Sequence, residues 1–370
     1  MRLGRVSLLL GAGLLSSLVL VAGAAGTTST QSPKVSHLQL PVAALAVDGS
    51  RIAYALSSRY ATQANTTKVV VWNVRTGKTV KVSGKKTAAA DTSSTGAGVF
   101  QLAIAGSRVA WLMNVGGNLE GDDYLFTSSL TNPKEHQVAS EIRTGGDGCA
   151  GRSNRCAGEW LGGLVGSGNL IAVNRWTTDA DNTVTAGELD VLSGGRLKKV
   201  ATGVGTVQAA VADGGRVAVL RADGTVALYS AAGQLLLTVD TPPNTQTVAL
   251  QGKSLVVGTK TRQLELYNAH TGSLRKTFTA HSTVSAPGKA PRNLDVQGNI
   301  AIYTTGNAGE LHAVNLSTGK DRVIAKPRGG VVLAQIDSAG LAYAGNGFGA
   351  HYGKGTLVFI PFAKIKAAVS

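Results

Sequence analysis

One pattern recurs seven times along this 370-residue chain: an apolar run, a tight turn, and a second apolar run. It begins as Leu45-Ala46-Val47-Asp48-Gly49-Ser50-Arg51-Ile52-Ala53-Tyr54 and returns as Leu102-Ala103-Ile104-Ala105-Gly106-Ser107-Arg108-Val109-Ala110-Trp111. Later copies turn at Ser167-Gly168-Asn169, Asp213-Gly214-Gly215, Gln251-Gly252-Lys253, Gln297-Gly298-Asn299 and Asp337-Ser338-Ala339-Gly340. The turn positions Gly49, Gly106, Gly168, Gly214, Gly252, Gly298 and Ser338 lie 38 to 62 residues apart. Glycine or asparagine there supplies the positive φ that a short hairpin requires. The runs are short and rich in Val, Ile, Leu and Ala, so they read as strands.

Most copies add a third strand that ends in a second tight turn. Examples are Val69-Val70-Val71-Trp72-Asn73-Val74-Arg75-Thr76-Gly77-Lys78, Leu264-Glu265-Leu266-Tyr267-Asn268-Ala269-His270-Thr271-Gly272 and Leu311-His312-Ala313-Val314-Asn315-Leu316-Ser317-Thr318-Gly319-Lys320. The Asn side chain can accept from amides two residues on, and the Gly takes the left-handed position. A fourth strand follows, as at Leu235 to Val239 or Val323 to Ala325. Four antiparallel strands per unit, seven times over, predict an all-β fold, a seven-bladed β-propeller spanning residues 35–370. The Asn-x-x-Thr-Gly-Lys turn resembles repeats of pyrroloquinoline-quinone-type propellers, and the apolar-aromatic-Asn ending of the third strand resembles a degenerate WD repeat. These likenesses imply the fold. The Trp those quinone-type repeats place after Thr-Gly-Lys is missing after Lys78 and Lys320, and no Gly-His pair precedes the blades.

The last copy has strands near Val331–Ile336, Leu341–Ala344 and Thr356–Ile360, and then meets Pro361. Its outer strand has two candidate sources. Val35 to Leu40 can close the ring from the other end of the chain, or Ile365 to Val369 can continue the last sheet.

Residues 1–25 read as a secretory signal peptide: Arg2 and Arg5, an uncharged run from Val6 to Ala25, and the small residues Ala22-Gly23-Ala24. The alternative is an uncleaved anchor. Residues 26–34 read as a flexible leader. The whole chain carries a net charge of +15, or +13 once Arg2 and Arg5 are removed. The charge leans towards the end, with 14 basic against 5 acidic residues from Thr241 onward. An exported monomer of this charge suits an anionic envelope polymer or a protein partner. Nothing interleaves aromatics with the basic residues as a nucleic-acid groove would.

In an up-and-down blade, the first and third turns share one face of the disc. The second turns and inter-blade links share the other. Here the first face is tight. The long connections, Ser57–Thr67, Ser83–Gly98, Asn114–Asp122, Ser140–Gly163, Asn174–Gly187, Ala280–Arg292 and Gly345–Lys354, all fall on the second. Scaffolded loops are where binding usually sits.

Cys149 and Cys156, the chain's 2 cysteines, stand in the largest of these connections. In an exported chain such a pair reads as a disulfide, which would present Arg152 and Arg155 together as an anion contact. Two cysteines exclude a disulfide scaffold and a four-cysteine metal site. Asp179-Ala180-Asp181-Asn182, with Glu188 and Asp190 downstream, resembles part of a calcium loop but lacks the Gly and Glu such a loop needs. No other cofactor is expected. His281 and His351 lie in long connections and are the best-placed of the 6 histidines, while Glu120-Gly121-Asp122-Asp123 forms a second acidic tip. No P-loop, dinucleotide fingerprint or nucleophile elbow is present. Two functions remain open: a binding module acting through the loop-rich face, or a quinoprotein-type oxidoreductase or lyase whose acids and bases converge over the central channel.

Overall fold

The computed structural model describes residues 32–56, 67–89, 98–116, 121–143, 158–179, 183–281, 291–305, 309–346 and 354–370. Strand β1 (Lys34–Leu38) comes first. Blade one is β2 (Val42–Asp48), β3 (Arg51–Leu56), β4 (Lys68–Asn73) and β5 (Thr79–Lys81), followed by the short helix α1 (Lys85–Ala89). Blade two is β6 (Gly98–Ala105), β7 (Arg108–Gly116), β8 (Gly121–Ser129) and β9 (His136–Arg143). Blade three is β10 (Gly158–Ser167), β11 (Leu170–Thr178), β12 (Val184–Ser193) and β13 (Arg196–Thr202). Blade four is β14 (Val207–Asp213), β15 (Arg216–Arg221), β16 (Val226–Ser230) and β17 (Leu235–Val239). Blade five is β18 (Thr245–Gln251), β19 (Ser254–Thr259), β20 (Gln263–Asn268) and β21 (Leu274–Thr279). Blade six is β22 (Pro291–Gln297), β23 (Ile300–Thr305), β24 (Leu311–Asn315) and β25 (Asp321–Ala325). Blade seven is β26 (Val331–Asp337), β27 (Gly340–Asn346) and β28 (Gly355–Pro361), and the chain ends in helix α2 (Phe362–Val369). Every sheet has four antiparallel strands.

The predicted turns form. Gly49, Gly106, Gly168, Gly214, Gly252 and Gly298 have φ between 56° and 61°. That is the first central position of a primed hairpin turn, type II′ in five of them and type I′ at Gly214, where Gly215 also has φ 108°, and the twist of both types matches the strands they join. In the third turns Asn73 Oδ1 accepts from Arg75 N at 3.0 Å, Asn268 Oδ1 from His270 N at 3.0 Å, and Asn315 Oδ1 from Ser317 N at 2.9 Å.

Blade seven settles the ring closure. Strand β1 pairs antiparallel with β28, from Lys34 opposite Phe359 to Leu38 opposite Gly355. The segment Ile365–Val369 is helical, not a strand. Its apolar residues fall at a helical interval, and Ile365 and Val369 are buried against blades six and seven. Pro361, at φ −57° and ψ 141°, ends the strand and opens the helix.

Second and third strands are buried on both faces, as in β3, β15, β19 and β23, whereas outer strands such as β17 and β21 are largely exposed. The apolar core is correspondingly divided. Seven clusters of buried side chains fill the seven junctions between neighbouring blades.

A ring of polar bonds joins the same blades at the tight-turn face. At five of the seven junctions the residue before the first turn reaches forward to the next blade's glycine amide. Gly49 N donates to Asp337 Oδ2 at 2.6 Å, Gly106 N to Asp48 Oδ2 at 3.0 Å and Gly214 N to Ser167 Oγ at 3.2 Å. Gly252 N donates to Asp213 Oδ2 at 2.7 Å and Gly298 N to Gln251 Oε1 at 3.1 Å. The two remaining junctions use a deeper residue. Gln101 Oε1 accepts from Leu164 N at 2.7 Å, and Asp295 Oδ2 from Ile336 N at 2.9 Å.

Asp213 also holds Arg216 at 3.0 Å, as Asp48 holds Arg51 at 2.8 Å. Replacing Asp213 by Ala removes the acceptor for Gly252 and the partner of Arg216. The expected loss is about 1–2 kcal/mol, read as a lower urea midpoint at unchanged denaturant slope. An unchanged midpoint would show that the ring bond adds nothing.

Candidate binding face

Blades two and three stand taller than the rest on the face of the long connections. Strands β6 to β9 have 8, 9, 9 and 8 residues and β10 to β12 have 10, 9 and 10, against 7, 6 and 5 for β14 to β16. Much of what the sequence assigns to loops is therefore ladder. Asn114 pairs with Asp123, and Arg175 with Glu188. Blade four by contrast turns at once: Arg221 N donates to Thr225 O at 2.9 Å, and Gly224 sits at φ 87°.

On the raised part of blade three, Trp160 lies directly opposite Trp176. The indoles are parallel within 5°, with centroids 6.1 Å apart. Trp160 Nε1 donates to Thr178 Oγ1 at 3.1 Å. A Cβ at Gly162 would stand 3.0 Å from the Trp176 ring, so the bare backbone there lets the indole lie across β10. Both rings are partly exposed. Trp72 and Trp111 are buried.

The opposite face of this hairpin turns towards blade two, with Arg175 as its hub. Arg175 lies 3.3 Å from Glu141 of blade two and 3.3 Å from Asp190, and it also pairs with Glu188. Lys199 holds Glu188 from β13 at 2.6 Å. Asp190 is fully buried, and neither of its oxygens accepts a hydrogen bond among the described residues. Burial pushes the Asp190 carboxyl up. Glu188 is held down, because Lys199 and Arg175 outweigh its burial. Burial, and then the neighbouring Glu159 carboxyl, push Glu141 up to about 7 against the opposing pull of Arg175. Three carboxylates, Glu141, Glu188 and Asp190, thus face two cations, and Glu141 is partly protonated near neutrality.

The central channel encloses about 490 Å³ between the seven innermost strands. Its wall is mostly Val, Leu, Ile and Ala, with Asp213, Asp295 and Asp337 among the polar exceptions. Asp295 faces the channel yet is ringed by protein. Burial, aided by Asp337, pushes it up to about 7 against the amides of Ile336 and Val296.

The residues singled out from the sequence are dispersed. Asp179 directly follows β11 and accepts from Thr183 N at 2.8 Å, closing its own hairpin. Glu188 lies within β12 and not at a loop tip, its carboxylate taken by Arg175 and Lys199. Asp122 lies in β8, accepting from Tyr124 OH at 2.9 Å. His281 follows β21, and its backbone N donates to Tyr303 OH at 2.9 Å. Arg152, Arg155, Asp181, His351, Cys149 and Cys156 lie outside the described residues. No group of three or more His, Cys, Asp or Glu positioned to hold a metal occurs among the described residues. His312, which the sequence did not single out, is buried in blade six. It stands 2.8 Å from Asp321 and is stacked on Tyr303 at 5.0 Å, and Tyr303 also donates to Asp321.

This architecture defines the class of protein, a seven-bladed β-propeller. No protein-family model matches the chain, and no curated protein matches it. Among solved structures it is similar to the WD40 β-propeller domain of Doa1. That likeness has 13% identity and a TM-score of 0.52, over 89% of this chain and 97% of that one. It is also similar to the computationally designed Ika8 protein, at 14% identity and a TM-score of 0.48 over 88% and 98% of the two chains. The Doa1 likeness shows the fold.

Glu141 and Asp295 make stability depend on pH in a defined direction. Each titrates at about 7 in the folded chain and near 4 when unfolded. Folding therefore takes up protons between those values. The contribution is full below about pH 4 and is lost as pH rises through about 7. Urea midpoints should fall between about pH 5 and pH 8, and Glu141→Gln and Asp295→Asn should each flatten that fall. A slope unaltered in both variants would place the proton uptake elsewhere.

Proposed function

We propose that this chain is an exported binding module that engages an anionic envelope ligand through the face raised on blades two and three. The observation that carries this reading is the Trp160–Trp176 pair. Two of the chain's 4 tryptophans are kept partly exposed, side by side, on the tallest part of the disc, while the other two are buried. Rigid, half-exposed aromatics on a fixed scaffold lose little entropy on binding and bury a large area, which is why they dominate interface energetics. The net positive charge supplies long-range attraction to anionic polymers and partners. Arg152 and Arg155 lie between β9 and β10 in the chain, so they join the same face in this reading. The binding reading also gains from the dispersal of Asp122, Asp179, Glu188 and His281, each engaged with a separate partner.

Co-sedimentation of the protein with isolated cell envelopes, titrated with salt, tests the proposal. Retention should persist at 1 M salt, where the screening length is about 3 Å. A Trp160→Ala/Trp176→Ala double variant that melts as a folded protein should lose that retention. Arg152→Ala/Arg155→Ala should weaken binding mainly at low salt. Release of the wild-type protein at moderate salt, or full retention of the tryptophan variant, would count against the proposal.

A further inference from the structure

The raised part of blade three segregates its charge between its two sides. Successive side chains of a strand alternate between faces, and residues opposite each other in a ladder share one. Glu159, Arg175 and Glu188 fall on the side of blade two, where Arg175 meets Glu141. The other side carries Trp160, Trp176 and Gly187 in a single rung across β10, β11 and β12. The neighbouring rungs pair Gly158 with Thr178 and Gly162 with Asn174. None of these residues is charged.

This uncharged side looks over blade four. Asn174, two residues before Trp176, donates from Nδ2 to Gly205 O at 3.2 Å in the link that leads into β14. Gly187 packs on the same link so closely that a Cβ there would stand 2.6 Å from Gly205 N and O. The link, Thr202-Gly203-Val204-Gly205-Thr206, is uncharged too, and Thr202 and Gly203 are exposed. The top turn of blade four adds one base and one acid, Arg221 and Asp223, which offset each other. Together these form a step, with a wall of indole beside a link that bears hydroxyls.

The wall is both fixed and open. Trp160 is tied to Thr178, and Trp176 lies across Gly162. Parallel rings with centroids 6.1 Å apart are offset, since stacked carbons touch at about 3.5–4 Å, so neither ring hides the whole face of the other. Both keep exposed surface.

An anion would find no cation on this wall among the described residues. A purely apolar ligand would take water from the hydroxyls and peptide groups of the link and return no hydrogen bond. A pyranose ring has an apolar face of C–H bonds and a rim of hydroxyls, so it matches both parts at once. We propose that the step binds the uncharged sugar rings of a polysaccharide, their C–H faces on Trp160 and Trp176 and their hydroxyls along the link. This assignment rests on the envelope-binding reading and names the chemistry held at the same face. The basic surface at large attracts the polymer's anionic groups, and the indoles hold its sugar rings.

Tryptophan fluorescence of the full-length protein tests it. Trp72 and Trp111 are buried, so acrylamide quenches chiefly the pair on blade three. Cellohexaose, chitohexaose and mannohexaose are the probes. At least one should cut the quenching at least twofold and saturate, at 1 M salt as at low salt. Its monosaccharide should need at least tenfold higher concentration, because it covers less of the two rings, and hexanol should give no saturable protection. Trp176→Leu keeps apolar bulk and leaves Trp160 as the reporter. It should lower the affinity at least tenfold, and Trp176→Phe, which retains a ring, should fall between. Trp160→Leu, read through Trp176, repeats the test from the other strand should the first variant unfold. Protection by none of the hexasaccharides, equal protection by hexanol, or unchanged affinity in the leucine variants would overturn the assignment. Envelope retention that needs the tryptophans, with no protection by any hexasaccharide, would overturn it and leave the envelope reading standing. Hexasaccharide protection without envelope retention would support the sugar site and overturn the envelope reading alone.

Discussion

Among the described residues the seven sheets share no continuous ladder, only the single bridge of Gly309 with Val331 between blades six and seven, so the disc depends on what else passes between neighbouring blades. Apolar side chains fill each junction, but burial is non-directional and does not fix how far one blade slides along the next. The bonds from one blade's turn to the following glycine amide are directional. They set that register at the tight-turn face, where Asp48, Ser167, Asp213, Gln251 and Asp337 each accept from the neighbour's backbone. Strand β1 then closes the circle covalently, because the strand that completes blade seven leads directly into blade one. Ring bonds hold the tight face, and so the opposite face is free to vary in height.

The repeat was legible because its turns are chemically demanding. A type II′ hairpin wants glycine at one position, and an Asx turn wants Asn followed by Gly, so blades one, five and six each leave two marks in the sequence. At five junctions the residue before the first turn carried a third mark, a side-chain acceptor, that was visible but unread. Its partner lies in the next blade, and the junction between blades two and three breaks the pattern by placing Ala105 there. Strand ends were harder to read. Polar, Gly-rich and Thr-rich residues in blades two and three look like loops, yet Asn114–Asp123 and Arg175–Glu188 are ladder pairs whose side chains satisfy one another. Local composition reports polarity, and here the polar side chains pair with one another across the ladder.

Trp160 and Trp176 had a sequence signal that symmetry would have found. They are equally distant from Gly168, the turn of their hairpin, so pairing about that turn brings them together. What symmetry could not supply is the bulge between Gly162 and Val165, which shifts the register by one residue and fixes the direct opposition. Asp179, Glu188 and Asp190 are parted for the opposite reason. Asp179, Glu188 and Asp190 are close in sequence, but alternation along β12 and the hairpin tip send them to different tasks. Asp179 closes a turn, and the other two neutralise Arg175.

Arg175 explains how so much charge can sit between two blades. One guanidinium with three buried or half-buried carboxylates would be strongly repulsive if all were ionised. Lys199 removes one charge, and a proton near Glu141 removes another. The arrangement costs desolvation energy, yet it sits at the junction where β9 leads through the longest connection into β10. A purely apolar junction there would hold the blades together but leave their mutual height unspecified. A hub on β11 that bonds to β9 and β12 at once specifies it, and the same specification keeps the stacked indoles on the other side of the hairpin at a fixed level above blade four.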